Sequence, residues 1–156
     1  MKKERNTYYL EFEFAYKDIM PKITCEQYIE QMDGNLLDYK FFCFHGKVAY
    51  IQVDFDKTTN HSTSFYNRQW EIMDFTYDKP GHEPIAKPEG FEKMMAIAEK
   101  LAQPFIFVRV DLYNINAKIY FGELTFYPNS GLGIFTPQEW DGKFGKLLCI
   151  SSTVRK

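Results

Sequence analysis

The sequence predicts an α+β domain, a mostly antiparallel sheet with flanking helices. Two β-rich runs flank a short turn at residues 37–55, a second strand-like pair occupies 108–128, and an amphipathic helix lies between them. Hydrophobic residues make up 45% of the chain and aromatics 18%, enough apolar surface to exclude a disordered chain. At 156 residues the expected organisation is a single domain over 1–156.

The front of the chain, "NTYYLEFEFAYKDIMPKI", is aromatic and partly alternating, and Pro21 interrupts any helix there. "ITCEQYIEQM" reads as a short strand entering a connection that closes at Asp33–Gly34–Asn35. The runs 37–44 and 48–55 flank His45–Gly46–Lys47, a hairpin-turn composition. Residues 56–90 are rich in turn formers, with a strand or two expected near Trp70–Phe75. In "KPEGFEKMMAIAEKLAQP", Phe91, Met94, Met95, Ala98 and Leu101 fall at helical spacing and Pro104 limits the end. The methionine pair reads as core filler. A second hairpin is centred on 114–118, and a loop with Gly131 and Gly133 follows. Thr136–Pro137–Gln138–Glu139 then reads as a helix start, with Thr136 as N-cap and Pro137 at the first helical position.

Several function classes are excluded by composition. A net charge of −2 supplies no global basic field, so no nucleic-acid partner is expected. No apolar run approaches the about 18 residues of a spanning helix, so no membrane insertion is expected. "MKKERNTYY" is not followed by an apolar stretch of signal-peptide type, which points to a cytoplasmic protein. Cys25, Cys43 and Cys149 form neither a CxxC pair nor an even framework, and read as buried, reduced thiols. His45, His61 and His82 lack ligand spacing and read as turn or surface residues.

The chemistry lies in "VRVDLYNINAKIYFGELTFYP", residues 108–128. Alternation puts Arg109, Asp111 and Tyr113 on one face of the first strand, and Ile119, Phe121, Glu123 and Thr125 on one face of the second. Loop length decides whether those faces coincide. A three-residue loop, Ile115–Asn116–Ala117, sets Arg109 opposite Glu123 and Asp111 diagonal to it; a two- or four-residue loop separates Asp111 from Glu123. In the first case two carboxylates and a guanidinium suit Mg²⁺ shared with nucleotide phosphates. On spacing alone, a solvated cross-strand Arg–Glu pair stays open beside that reading.

"RVD", then "GELT" twelve residues after the aspartate, then Pro128, resembles the closing signature of ATP-grasp ligases. "KITCEQYIE" resembles the segment whose backbone binds adenine. "LLDYKFFCFHGK" with "FYNRQW" and "RVDLYNINAKIYFGELTFYP" resembles the TupA-like branch, associated with teichuronopeptide and other bacterial surface-polysaccharide synthesis. The resemblance implies ATP and Mg²⁺ as cofactors. It makes Asp111 and Glu123 metal ligands, with Thr125 a weak third ligand where the superfamily usually has Asn. Arg109 becomes the arginine at the transferring phosphoryl group, and Lys40 a phosphate contact. Lys57 and Arg68 are not assigned to the phosphates. Glu26, Gln27, Tyr28 and Ile29 match the adenine hinge, and Asp38 the ribose-contacting acid.

Residues 1–25 carry one proline and no glycine, so the family's phosphate-binding lysine strand and glycine-rich loop have no counterpart there. The resemblance therefore implies the C-terminal subdomain of the catalytic unit, a partial domain served by a complementary N-terminal chain or by self-association. The expected function is a carboxylate–amine ligase working through an acyl phosphate, with a nucleotide and a carboxylate substrate (sugar acid or amino acid) as partners. The alternative is a non-catalytic remnant or binding partner. A two-acid nuclease would want a lysine where Thr125 stands.

Overall fold

The computed structural model describes residues 13–20, 22–25, 36–55 and 60–149. Strands β1 (Asp38–Phe44), β2 (Lys47–Phe55) and β3 (Ser62–Tyr66) are followed by the short β4 (Thr76–Tyr77) and helix α1 (Phe91–Ala102). Then come β5 (Phe107–Ile115), β6 (Lys118–Thr125), the short β7 (Phe135–Thr136) and helix α2 (Glu139–Leu147). The main sheet runs β3-β2-β1-β5-β6 with every neighbouring pair antiparallel, and β4 pairs with β7 in a second, small sheet. This is the expected α+β architecture.

Alternation along β1 sorts the core into two layers. Tyr39, Phe41 and Cys43 join Ile51, Val53, Val108, Val110 and Leu112 against Phe91, Met94 and Ala98 of α1. Helix α1 follows Gly90, whose φ of +75° suits glycine, and carries Glu92 in its first turn and Lys100 in its last, both favourable to the helix dipole. On the opposite face, Phe42, Phe44 and Phe65 pack with Phe75, Trp140 and Phe144, beneath α2. Each such buried side chain contributes about 1.5–3 kcal/mol of transfer free energy.

Several expectations are corrected. Of the strand or two expected near Trp70–Phe75, the short β4 follows directly at Thr76–Tyr77 and Ile72 makes only an isolated bridge to Tyr66, while the longer strand of this segment, β3, lies earlier at Ser62–Tyr66. Small hydroxyl residues disguise this strand as a turn, although all five of its residues are buried. Thr136 does not cap α2, because it is committed to pairing with Thr76; the helix begins at Glu139. Cys43 is buried, and burial pushes its thiol up to about 12, but Cys25 and Cys149 are exposed.

Candidate functional site

The charged site is built on the α2-facing side of the sheet, beyond the aromatic patch. Residues directly opposite in antiparallel strands share a face, so the register lays side chains in rows. Tyr113, Asp38, Asp54 and Thr63 form one row; Asp111, Lys40, Gln52 and Phe65 form the next; Thr125, Arg109 and Phe42 form the third. Polarity thus falls along the strands from acids to phenylalanines.

The hairpin that carries Arg109, Asp111 and Glu123 corrects the loop-length argument. Ile115 pairs with Lys118, so the loop has two residues, Asn116 and Ala117, with φ of 52° and 62°. These left-handed values suit the tight turns that match strand twist. A regular ladder from this turn would put Glu123 on the α1 side. Instead, register shifts between Val110 and Leu112: Leu112 pairs with Phe121, and Val110 with Leu124. Gly122 and Glu123 together oppose Asp111, a β-bulge that returns Glu123 and Thr125 to the charged face. Arg109 is therefore opposite Thr125 rather than Glu123, and Asp111 faces the bulge rather than Phe121. Gly122 is suited to this position, since a Cβ there would lie 3.0 Å from the Asp111 carbonyl oxygen.

Arg109 grips Asp111 with two parallel bonds, Nε to Oδ1 at 2.8 Å and Nη2 to Oδ2 at 2.7 Å. The same Nη2 donates to Glu123 Oε1 at 3.2 Å and Thr125 Oγ1 at 3.0 Å, and Thr125 donates to Glu123 Oε1 at 3.0 Å. Lys40 Nζ sits among Asp38 (2.9 Å), Asp54 (3.3 Å) and Asp111 (3.4 Å). Burial works against the Lys40 ammonium, but Asp111, Asp38 and Asp54 prevail and raise its pKa. Burial pushes the Asp111 carboxyl above its usual range, opposed by its bonds to Arg109 and by the Arg109 and Lys40 charges. Four carboxylates meet two cations in this cluster, a net charge of −2 with His61 left aside.

Residues on β2 and beside β3 enlarge the site beyond the sequence reading. Gln52 donates to Asp54 Oδ1 at 2.6 Å, and His61 Nε2 lies 3.5 Å from Asp54 Oδ2. Gln52 Oε1 and Thr63 Oγ1 are buried without a hydrogen-bond partner among the described residues. Both orphan atoms lie on the strands that flank the acid cluster. Only knowledge of the strand order would have found them, although Asp54 alternates with Gln52 as Asp111 does with Arg109. Of the other histidines, His45 occupies the turn and His82 is exposed and stacks on Phe55, as expected. Glu26, Gln27, Tyr28 and Ile29, and Lys57, lie outside the described residues. Arg68 is turned away from the cluster, bound to Glu99 at 2.6 Å.

The donor set fits a hard divalent cation. Asp111 Oδ2, Thr125 Oγ1 and Glu123 Oε1 converge on one positive atom, Arg109 Nη2, and all are oxygens. Among the described residues no three acidic, His or Cys groups are arranged to hold a metal by themselves. A cation here would draw its remaining ligands from water and phosphate, and would compete with Arg109 Nη2 for the same oxygens.

The mostly antiparallel sheet with helices α1 and α2 is consistent with an ATP-grasp-like α+β fold, and a family match sets the class as that of the ATP-grasp ligases, which use ATP and Mg²⁺. The chain belongs to the TupA-like ATPgrasp family, whose model matches residues 1–149. No curated protein and no solved structure matches it. Among the described residues no helix is long and apolar enough to cross a membrane.

Proposed function

We propose that the chain is the C-terminal subdomain of a cytoplasmic, Mg-ATP-dependent carboxylate–amine ligase acting in bacterial surface-polysaccharide synthesis. The observation that carries this reading is the convergence of three oxygens on one cationic point inside a cluster of net charge −2. Asp111, Glu123 and Thr125 would hold Mg²⁺, which when bound neutralises phosphate charge and orients the γ-phosphoryl group. Arg109, released from Glu123 and Thr125, turns its donors to the transferring phosphoryl group or the substrate carboxylate. Its Nη1 makes no hydrogen bond among the described residues. Lys40 is held in its acid cage and keeps the row of acids compact, and reaches a phosphate only by leaving Asp111. Asp38 and Asp54, with Gln52 and Thr63, offer acceptors to ribose hydroxyls.

In the reaction a carboxylate oxygen attacks the γ-phosphorus, the bond to the β-phosphate oxygen breaks and ADP leaves. An amine then attacks the acyl carbon, inorganic phosphate departs with the bonding electrons, and the amine proton passes to solvent. The carboxylate is a sugar acid or an amino acid. A complementary N-terminal chain or a second copy supplies the opposing wall of the nucleotide site.

The test is calorimetric binding of Mg-ATP to the wild type and to Asp111→Asn combined with Glu123→Gln. At least tenfold weaker, magnesium-dependent binding in the variant is expected, about 1.4 kcal/mol. Equal binding by the two proteins would sink the site assignment. The second reading, a non-catalytic remnant, is favoured by the complete ion pairing of Asp111 with Arg109 and Lys40. Absence of nucleotide affinity with and without magnesium would select it.

A further inference from the structure

Beneath α2, on the same sheet face as the charged rows, lies a cavity of about 230 Å³. Its floor includes Phe42 and Phe107, and its roof Phe144 and Gly145 of α2. Phe42 is the cross-strand neighbour of Arg109, and Phe107 precedes Arg109 by two residues on that face. The cavity therefore opens where the charged site ends. Asp141 is the single ionisable acid or base in its lining apart from the phenol of Tyr77, whose hydroxyl donates to the Pro128 carbonyl at 3.2 Å.

We propose that this cavity receives the side chain of an amino acid with a large apolar or aromatic side chain, the carboxylate substrate of the ligase. The inference rests on the ligase reading and narrows its substrate class. Phenylalanine rings accept a phenyl or branched alkyl group and leave the hydroxyls of a sugar acid without partners. Asp141 meets the substrate ammonium, and the carboxylate points along β5 toward Arg109. The charges of Asp141 and Arg109 both bear on the Tyr77 hydroxyl.

The glycines of α2 supply the test. A Cβ at Gly145, which lines the cavity, or at Gly142, which does not, meets nothing within 4 Å. Both sites accept a side chain without strain. Gly145→Leu adds a bulky side chain at the cavity lining and Gly142→Leu is its control, with folding of both checked by circular dichroism. Binding of L-phenylalanine, L-leucine, hydrocinnamate and glucuronate to the full chain is measured by calorimetry, each with and without a non-hydrolysable Mg-ATP analogue.

L-phenylalanine and L-leucine should bind the wild type and Gly142→Leu, and at least tenfold more weakly Gly145→Leu. Asp141→Asn should weaken L-phenylalanine but leave hydrocinnamate, which lacks the amine, unchanged. Glucuronate binding as tight as that of L-phenylalanine overturns the proposal, as does equal affinity in Gly145→Leu. Nucleotide-analogue binding without amino-acid binding overturns the proposal alone. Amino-acid binding without nucleotide binding overturns the ligase reading and leaves the cavity assigned.

Discussion

Lys40 stands among three aspartates, and removing its ammonium leaves Asp38, Asp54 and Asp111 facing one another without the cation they share. Breaking a buried ion pair by deleting one partner costs about 3–5 kcal/mol, because the remaining charge keeps its desolvation penalty. Lys40→Met should therefore lose stability on that scale in urea denaturation. Glu123→Gln should lose less than about 1 kcal/mol, since the Glu123 side chain is 64% exposed and its pair with Arg109 is screened. Comparable losses for the two variants would mean that water, not protein, solvates the Lys40 cage. The motif residues Arg109, Asp111 and Glu123 were legible in the sequence because they break an apolar run. Gln52 and Thr63 were not, because a polar residue in a strand signals burial only when its neighbours across the sheet are known.

At the scale of elements, periodicity revealed α1 and the β1–β2 hairpin, where apolar spacing and turn chemistry agree. It failed at β3, where Ser62, Thr63 and Ser64 look like loop and are buried by the segment around Pro80–His82. The β5–β6 hairpin was legible as a hairpin but not in register, because a two-residue turn and a bulge mimic the face pairing of a three-residue loop. Gly122→Ala tests the bulge. The new Cβ would press on the Asp111 carbonyl at 3.0 Å and the Tyr113 ring at 3.3 Å. Overpacking of this kind costs about 1–3 kcal/mol, read as a lowered denaturation midpoint. Gly142→Ala, in open space on α2, should instead gain up to about 1 kcal/mol from helix propensity. A Gly122→Ala protein as stable as the wild type would show that the bulge can relax.

For the whole molecule, protonation couples the core to the site. Tyr39 and Tyr77 are pushed up to about 12, mainly by burial, Cys43 likewise, and Lys40 is raised. Each group keeps its proton in the folded chain at a pH where the unfolded chain releases it, so stability falls as pH rises. The decline should begin near pH 9, the usual thiol value, and steepen above 10, where unfolded tyrosine and lysine titrate. Each fully titrating group adds a slope of up to about 1.4 kcal/mol per pH unit. Melting temperatures measured from pH 7 to 11 should drop accordingly, with the onset delayed in Cys43→Ala. A flat profile to pH 11 would show that these groups are solvated. The site spans β1, β2, β5 and β6 with Thr63 of β3, and its assembly depends on β1 lying between β2 and β5. That adjacency joins Lys40 to Asp111 across 71 positions of chain, a separation no local pattern encodes.

The bulge at Gly122 also bears on how relatives should be aligned. From Lys118 to Glu123 the second strand holds one residue more than an unbulged ladder needs. A relative one residue shorter in that interval would pair regularly and still present its glutamate and threonine on the acid side. A gap there is therefore structurally silent, whereas a gap between Glu123 and Thr125 would turn one of them toward α1.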